Sequence, residues 1–316
     1  MRIIMSARNA RSASRAAVSA IVTALAGGAC SAAGTDASHV EFVFGDNGMG
    51  RGEFAYPRGL TVSPVDGCVF IVDKAARVQR FDPQGRYETE WRMPEYDAGK
   101  PTGLAVDRRN RVWIADTHYS RVIVYDRDGR ELFRFGESGD GPGQFRWPTT
   151  VAFDADGNAY VGEYGGNDRI SRFTADGEFA FSFASGDAQT GGTNRPQGLA
   201  FDADGVLWVA DAANHRIGRY ARDGEFLGAF GNMGAGHGEF RYPYDVAVDA
   251  EQTIWISDYG NNRVVRMHRT GDILASWGSL GREPGQLRHA WSLDVAPNGL
   301  LYVLDSWNSR VQVLAW

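Results

Sequence analysis

The sequence predicts an all-β protein: a β-propeller of six four-stranded antiparallel blades. The first observation is a repeat. Segments that begin at positions 57, 101, 148, 196, 243 and 290 share one pattern, and successive openings lie 44, 47, 48, 47 and 47 residues apart. A fixed period in this range indicates a repeat architecture. The second observation is that each repeat contains short apolar segments that alternate with polar residues, as β-strands do.

The fourth repeat shows these strands most clearly. Its four apolar segments are Gly198–Asp202, Leu207–Asp211, Arg216–Ala221 and Phe226–Phe230. The Asp and Gly residues of Asp202–Gly205 are suited to a tight hairpin, because both residue types tolerate positive φ. None of the segments has helical apolar spacing of useful length, so each repeat is predicted to be one four-stranded blade.

The two chain ends are predicted to share a blade. The sixth repeat, which starts at Ala290, has only three strand segments before the chain ends at Trp316. Residues 40–44 read like the missing outer strand, so we expect them to complete the sixth blade. This pairing removes the exposed sheet edges of an open array. Residues 40–316 are therefore predicted to form a single propeller domain.

The repeat motifs resemble those of the NHL-repeat propellers. The shared elements are P-x-G-[LI]-A-[VF]-D, [IV]-[AS]-D, N-x-R-[IV] and a D-G turn, with the linker G-x-G-[EQ]-F-x-x-P between blades, as in Gly50–Phe54 before Pro57. The resemblance covers residues from about 40 to 316 and implies the same six-bladed ring. It does not define an activity, since such folds carry many unrelated functions.

The first 29 residues predict a signal peptide. Four arginines precede an uncharged run from Ala16 to Ala29 that is too short to span a bilayer. Cys30 follows a segment that resembles a bacterial lipobox, which predicts lipidation of Cys30 and a tether over residues 30–39. We expect an exported periplasmic or cell-envelope lipoprotein that meets the membrane only through its lipid anchor. The alternative is cleavage after Ala26, which would give a secreted protein without an anchor.

The net charge argues against one class of partner, and the second cysteine is expected to be structural. The chain has 33 basic and 39 acidic residues, a net charge of −6, and loss of the four arginines of the signal peptide leaves 29 and 39, or −10. Nucleic acid is therefore not an expected partner, because its phosphates bind mainly to Lys and Arg. The other cysteine, Cys68, lies on a predicted strand and is expected to be a small buried residue.

The candidate binding site is the mouth of the central channel. In a propeller, the innermost strand of each blade starts near the axis, and the loops between the second and third strands reach the same face. The residues directly after the repeat openings should ring the mouth: Arg58, Thr102, Thr149, Gln197, Tyr244 and Trp291. Four more candidates lie farther along or farther out: Asp245, Tyr164, Tyr259 and Trp307.

These candidates change type from blade to blade, although the framework residues recur. A specific ligand would require such differences, and unconstrained loops are the alternative explanation. Exposed Tyr and Trp beside amide side chains suit a peptide, protein or glycan partner. The sequence therefore favours a non-catalytic binding module.

An enzyme that uses the same mouth is an alternative. Amidating lyases of similar fold look to hold zinc with histidines directly after the blade-opening proline, and none of the six residues at that position is a histidine here. Calcium-dependent lactone hydrolases use carboxylates and amides near the axis, for which Asp245 and Asn167 are the candidates. We predict no catalytic residue, metal ligand or cofactor, with calcium left open. A metal-dependent lyase or lactone hydrolase and a structural envelope-assembly protein remain as alternatives.

A recurrent pair of charges is predicted to belong to the scaffold. In five repeats an Asp and an Arg flank the turn between the second and third strands, and Glu163 with Arg169 is the variant in the third repeat. A feature present in every blade is expected to satisfy loop backbone and neighbouring side chains rather than to bind a ligand.

Overall fold

The computed structural model describes residues 39–97 and 100–316, which contain six four-stranded antiparallel sheets. The described chain begins with β1 (His39–Phe44) and a short parallel pair, β2 (Asp46–Asn47) and β3 (Glu53–Phe54). Blade 1 consists of β4 (Pro57–Val62), β5 (Val69–Asp73), β6 (Arg77–Phe81) and β7 (Tyr87–Arg92). Blade 2 consists of β8 (Gly103–Val106), β9 (Val112–Asp116), β10 (Arg121–Tyr125) and β11 (Glu131–Phe135).

The other blades follow the same order. Blade 3 consists of β12 (Trp147–Phe153), β13 (Ala159–Tyr164), β14 (Arg169–Phe173) and β15 (Phe179–Phe183). Blade 4 consists of β16 (Pro196–Phe201), β17 (Leu207–Asp211), β18 (Arg216–Tyr220) and β19 (Phe226–Phe230). Blade 5 consists of β20 (Pro243–Val248), β21 (Ile254–Asp258), β22 (Arg263–Met267) and β23 (Ile273–Trp277). The last three strands are β24 (Ala290–Val295), β25 (Leu301–Asp305) and β26 (Arg310–Ala315).

Short 3₁₀ turns connect some of these strands. They are Thr117–Tyr119, Ala188–Thr190, Ala212–Asn214, Tyr259–Asn261 and Ser306–Asn308. Four of them join the second and third strands of a blade and end on a left-handed residue, His215 in blade 4. These turns place the candidate side chains Tyr259 and Trp307 on one side of the ring.

The predicted closure of the ring is confirmed. β1 pairs antiparallel with β26, from His39 opposite Ala315 to Phe44 opposite Val311. The sixth sheet therefore has the order β1-β26-β25-β24, so that both ends of the propeller domain lie in one blade. The strand starts one residue earlier than predicted.

Large aromatic side chains fill the space between blades. Trp113 and Trp208 on the second strands of blades 2 and 4 are fully buried. The indole N–H of Trp113 donates to Asp107 at 3.1 Å, and that of Trp208 donates to Asp202 at 3.0 Å. These carboxylates belong to the recurrent A-[VF]-D motif, so one repeated residue satisfies the polar atom of a repeated core residue.

The recurrent charge pairs are present in all six blades. The N–O distances are 3.0 Å for Asp73–Arg77, 2.8 Å for Asp116–Arg121, 2.5 Å for Glu163–Arg169, 2.8 Å for Asp211–Arg216, 2.8 Å for Asp258–Arg263 and 2.8 Å for Asp305–Arg310. Asp211 also accepts from the backbone N–H of Asn194 at 2.7 Å, and Arg216 donates to the carbonyls of Ala188 and Gly192. The pairs hold loops onto the blades, as predicted.

Cys68 is a buried free thiol, as predicted, and burial raises its pKa to about 11. The predicted signal peptide and Cys30 lie outside the described residues. Within the described ranges, no helix has the length and apolar character needed to cross a membrane.

Candidate functional site

The innermost strands surround a central channel of about 880 Å³. Six of the predicted site residues line it: Arg58, Thr102, Gln197, Tyr244, Asp245 and Trp291. Counting along the repeats therefore identified residues of blades 1, 2, 4, 5 and 6 that line one cavity.

In five of the six blades a β-bulge presents the residue after the blade opening. In blades 1, 3, 4, 5 and 6 the pairing of the first two strands shifts register around that residue. The extra residues are Arg58, Thr149, Gln197, Tyr244 and Trp291. Because a bulged residue is left outside the ladder, its side chain can be aimed differently from those of its neighbours.

Thr149 is the exception among these residues. Its side chain is only 1% exposed and does not line the channel. Its hydroxyl lies 2.6 Å from the carbonyl oxygen of Pro196 and 3.0 Å from that of Gly162. A short hydroxyl side chain at this bulge is satisfied by the adjoining blade, so the expectation that Thr149 rings the mouth does not match the structure.

The aromatic candidates of blades 5 and 6 form one group with two further residues, Tyr56 and His289. We call this group the mouth cluster: Tyr56, Tyr244, Tyr259, His289, Trp291 and Trp307. Tyr244 stacks on Tyr259 with ring centroids 4.1 Å apart and planes at 18°. Trp291 meets Tyr244 edge-on at 5.0 Å. The rings hold each other in fixed orientations through stacked and edge-to-face contacts.

Tyr164 lies outside the mouth cluster. Its ring packs against Trp147 at 5.1 Å, on the blade 3 side of the face. The guanidinium of Arg195 lies over Tyr164 at 5.0 Å and over Tyr244 at 5.5 Å. Arg195 therefore connects Tyr164 to the mouth cluster.

Arg58 is the second arginine at the mouth. Its guanidinium lies 5.3 Å from the centre of the Trp291 ring and 5.6 Å from that of Tyr56. Among residues 39–97 and 100–316, neither Arg58 nor Arg195 has a carboxylate within 4.0 Å, and the Nε of each is buried without a hydrogen-bond partner. Burial lowers the pKa of Arg58, although nearby tyrosines oppose this effect.

Sequence reasoning missed the residue directly before each blade opening. Tyr56, Arg195 and His289 occupy this position, with φ of 56°, 61° and 54°. Left-handed backbone is uncommon for residues other than Gly. The available signal was an aromatic or basic residue at the same place in every repeat: Tyr56, Lys100, Trp147, Arg195, Tyr242 and His289.

Asp245 lies deeper in the channel and has protein donors. Its carboxylate accepts from Ser292 Oγ at 2.6 Å, from the Leu293 N–H at 3.1 Å and from the Val246 N–H at 2.9 Å. Burial raises the pKa of Asp245 to about 7. The carboxylate thus joins blade 5 to blade 6.

Asp294 repeats this arrangement one blade later. Its carboxylate accepts from the Val62 N–H at 2.8 Å and from Thr61 Oγ1 at 3.1 Å, which joins blade 6 to blade 1. Burial raises the pKa of Asp294 to about 6.

The two side chains considered as calcium ligands have other partners. Both oxygens of Asp245 accept hydrogen bonds, and the amide oxygen of Asn167 faces the guanidinium of Arg169. The described part of the chain contains no group of three or more His, Cys, Asp or Glu side chains placed to hold a metal ion. Asp245 and Asn167 are thus each bound to separate protein groups.

Comparison with known proteins places this six-bladed NHL-repeat propeller in a family. Residues 51–279 match the Virginiamycin B lyase family, and residues 287–314 match the NHL repeat. The chain belongs to the Virginiamycin B lyase family.

Three solved structures show the same fold. A streptogramin B lyase is 17% identical with a TM-score of 0.63, and the match covers 88% of this chain and 97% of that one. A Bacteroides thetaiotaomicron protein of unknown function is 17% identical with a TM-score of 0.68, covering 88% and 76%. A putative gluconolactonase is 20% identical with a TM-score of 0.62, covering 84% and 89%. At these identities the likeness concerns the fold alone.

One sequence relative is more similar over a short stretch. Protein brain tumor of Drosophila melanogaster is 36% identical over 63 residues, which are 20% of this chain. The match spans only 6% of that relative's length.

Proposed function

We propose that this protein is a non-catalytic binding module that takes a protein, peptide or glycan ligand at its channel mouth. The observation that carries the proposal is the mouth cluster. Its rings are held by mutual packing, and Trp307 is 44% exposed at its outer end. Rigid aromatic side chains supply contact area with little loss of conformational entropy, which favours binding.

A binding screen tests this proposal. The wild-type protein is screened against a peptide library and a glycan array, and the selected ligands are titrated against Trp291→Ala and Tyr244→Ala. We expect each replacement to weaken binding at least about tenfold, because interface anchors of this type contribute 2 kcal/mol or more. The matched control is Leu274→Ala, an exposed residue on β23 of blade 5.

The outcomes separate the alternatives. Mass spectrometry of the recovered ligand should show an unchanged molecule. Binding that survives both mouth replacements would contradict the proposal and favour the structural envelope-assembly role. A ligand recovered in cleaved form would favour an enzyme.

An enzyme of the lyase type is the second candidate, supported by the family match over residues 51–279 and by His289. Nδ1 of His289 lies 3.2 Å from the carbonyl oxygen of Tyr259. Since a carbonyl only accepts, the neutral tautomer that suits this contact has its proton on Nδ1 and a lone pair on Nε2, the arrangement that a general base requires. Incubation with a streptogramin B antibiotic and a gluconolactone, with and without divalent metal, tests this candidate. Turnover that His289→Ala abolishes would support it, and intact substrate under all conditions would refute it.

We place this function at the cell envelope, through export by residues 1–29 and lipidation of Cys30. Fractionation of cells that express the wild-type protein or Cys30→Ser tests this placement. Wild-type protein should sediment with membranes and carry a lipid at its first mature residue by mass spectrometry. Identical fractionation of the two proteins would contradict it.

A further inference from the structure

We infer that the channel mouth binds the C-terminal carboxylate of a peptide between Arg58 and Arg195. The inference rests on the proposed binding function and adds the chemistry of the ligand. It starts from two cations, Arg58 and Arg195, that have no carboxylate partner among the described residues. By contrast, the arginines at the turns between the second and third strands, such as Arg77 and Arg216, are paired with a carboxylate.

The first argument is the electrostatic state of the two guanidinium groups. Arg58 and Arg195 are half-buried over aromatic rings. Asp168 accepts a hydrogen bond from the backbone N–H of Arg195 at 2.6 Å, and not from its guanidinium. Removing a cation from water is costly without a partner, and cation–π contacts repay only part of that cost. An incoming carboxylate would supply the missing acceptor with matching planar geometry.

The second argument is that the two groups converge. Arg195 lies over Tyr164 and Tyr244. The guanidinium of Arg58 lies over Tyr56 at 5.6 Å. Arg58 also lies over Trp291, whose ring meets Tyr244 at 5.0 Å. Arginines from blade 1 and from the loop that enters blade 4 thus approach the same part of the mouth.

The third argument concerns two exposed apolar side chains in the loops that precede blades 5 and 6. Met233 is 63% exposed and Leu280 is 66% exposed. The residue that follows each of them is hydrogen-bonded to a turn between the second and third strands. The carbonyl of Gly234 accepts from Asn261 at 2.8 Å, and that of Gly281 accepts from Asn308 at 2.9 Å. Exposed Met and Leu suit the apolar side chains of a peptide better than the hydroxyls of a sugar.

These features together favour a chain end over an internal acidic side chain. Arg58 lines the channel that the innermost strands surround, and the guanidinium of Arg195 lies over Tyr244, which also lines it, so a ligand group that reaches both enters at the channel mouth. A peptide terminus can enter in this way while the preceding residues extend over the face that carries Met233 and Leu280. The carboxylate then pairs with the guanidinium groups, and the last side chains pack on the mouth cluster.

Affinity selection with two matched libraries tests the inference. The probes are random hexapeptides with a free C-terminal acid and the same hexapeptides with a C-terminal amide, and retained peptides are identified by mass spectrometry. We expect free-acid peptides to be enriched at least tenfold over amides on wild-type protein. Selected peptides should bind Arg58→Gln and Arg195→Gln at least tenfold more weakly as acids, with no change as amides.

Arg172→Gln is the matched control. Its guanidinium also lies over an aromatic ring, Phe181 at 5.7 Å, and its Nε also has no hydrogen-bond partner, but it is located on the third strand of blade 3. This variant should bind like wild type. The comparison of acid and amide on wild-type protein needs no variant, so it tests the inference even if a replacement unfolds the protein.

Equal retention of acids and amides would overturn the inference. If Trp291→Ala still abolished binding of those peptides, the proposed binding function would stand without the carboxylate contact. Retention of acidic glycans but no peptide would also overturn it. Peptides that bind wild-type protein and Trp291→Ala equally would refute the proposed function itself.

Discussion

Asp211→Ala should destabilise the propeller without a specific effect on the channel mouth. Asp211 is fully buried and accepts from Arg216 Nε at 2.8 Å, from Asn214 Nδ2 at 2.9 Å and from the Asn194 N–H at 2.7 Å. The replacement removes the carboxylate partner of a largely buried guanidinium, which keeps only the carbonyls of Ala188 and Gly192, and it removes the acceptor of the Asn194 N–H. Breaking a buried ion pair in this way costs about 3–5 kcal/mol.

The expected change in melting temperature follows from the size of the domain. For domains of about 150–250 residues, 1 kcal/mol corresponds to roughly 2–4 °C, which predicts a decrease on the order of 10 °C for Asp211→Ala. Circular dichroism and scanning calorimetry measure this decrease. The control is Asp223→Ala, an exposed turn residue in the same blade, for which we expect a change within about 0.5 kcal/mol.

A second replacement tests whether the unpaired charge of Arg216 causes the loss of stability. Arg216→Met combined with Asp211→Ala should recover part of the lost stability, because it removes the charge left unpaired. Loss of ligand binding by Asp211→Ala at an unchanged melting temperature would refute the assignment of this pair to the scaffold.

Three further predictions concern the channel and the closure of the ring. The pKa of Asp245 is raised from 3.8 to about 7 in the folded protein, so its contribution to stability is greatest below pH 4 and is lost as the pH rises to 7. Urea unfolding measures the free energy of unfolding of Asp245→Asn and of wild type. The value for the variant minus the value for wild type should increase from pH 4 to pH 7, and a difference that stays constant would contradict this. Gly103→Ala should lower stability by about 1–3 kcal/mol in urea unfolding, since the added methyl meets the Thr149 carbonyl oxygen, and an unchanged midpoint would show that the blades can separate. Phe44→Ala should cost about 2–4 kcal/mol by the same assay because its ring packs across the closure, while Val43→Ala on the exposed face of β1 should cost less than about 1 kcal/mol; equal effects would argue against the closing role of β1.

The fold was predictable because its determinants recur. An acidic residue followed by an Arg four to six residues later occurs at the same place in all six repeats, so each repeat indicates the same local structure. The closure by β1 was predictable because the sixth repeat has no fourth strand after β26 (Arg310–Ala315), and a strand-like segment precedes the first repeat. Both inferences need only the period and the alternation of apolar residues.

The site was predictable only in part. Counting from the opening residue identified Arg58, Tyr244 and Trp291, because the bulge holds the same place in each of these blades. It failed for Thr149, whose direction depends on a carbonyl in the adjoining blade. It also omitted Arg195, whose left-handed backbone directs it to the mouth from a linker position.

Fluorine NMR of wild-type protein labelled with 5-fluorotryptophan, titrated with a selected ligand, would locate the binding site most directly. Binding at the mouth should shift the resonances of Trp291 and Trp307, while Trp113 and Trp208, which are buried between blades, should not move. Resonances are assigned by Trp→Phe replacement. Shifts confined to Trp277, on the outer strand of blade 5, with Trp291 unchanged, would contradict binding at the channel mouth.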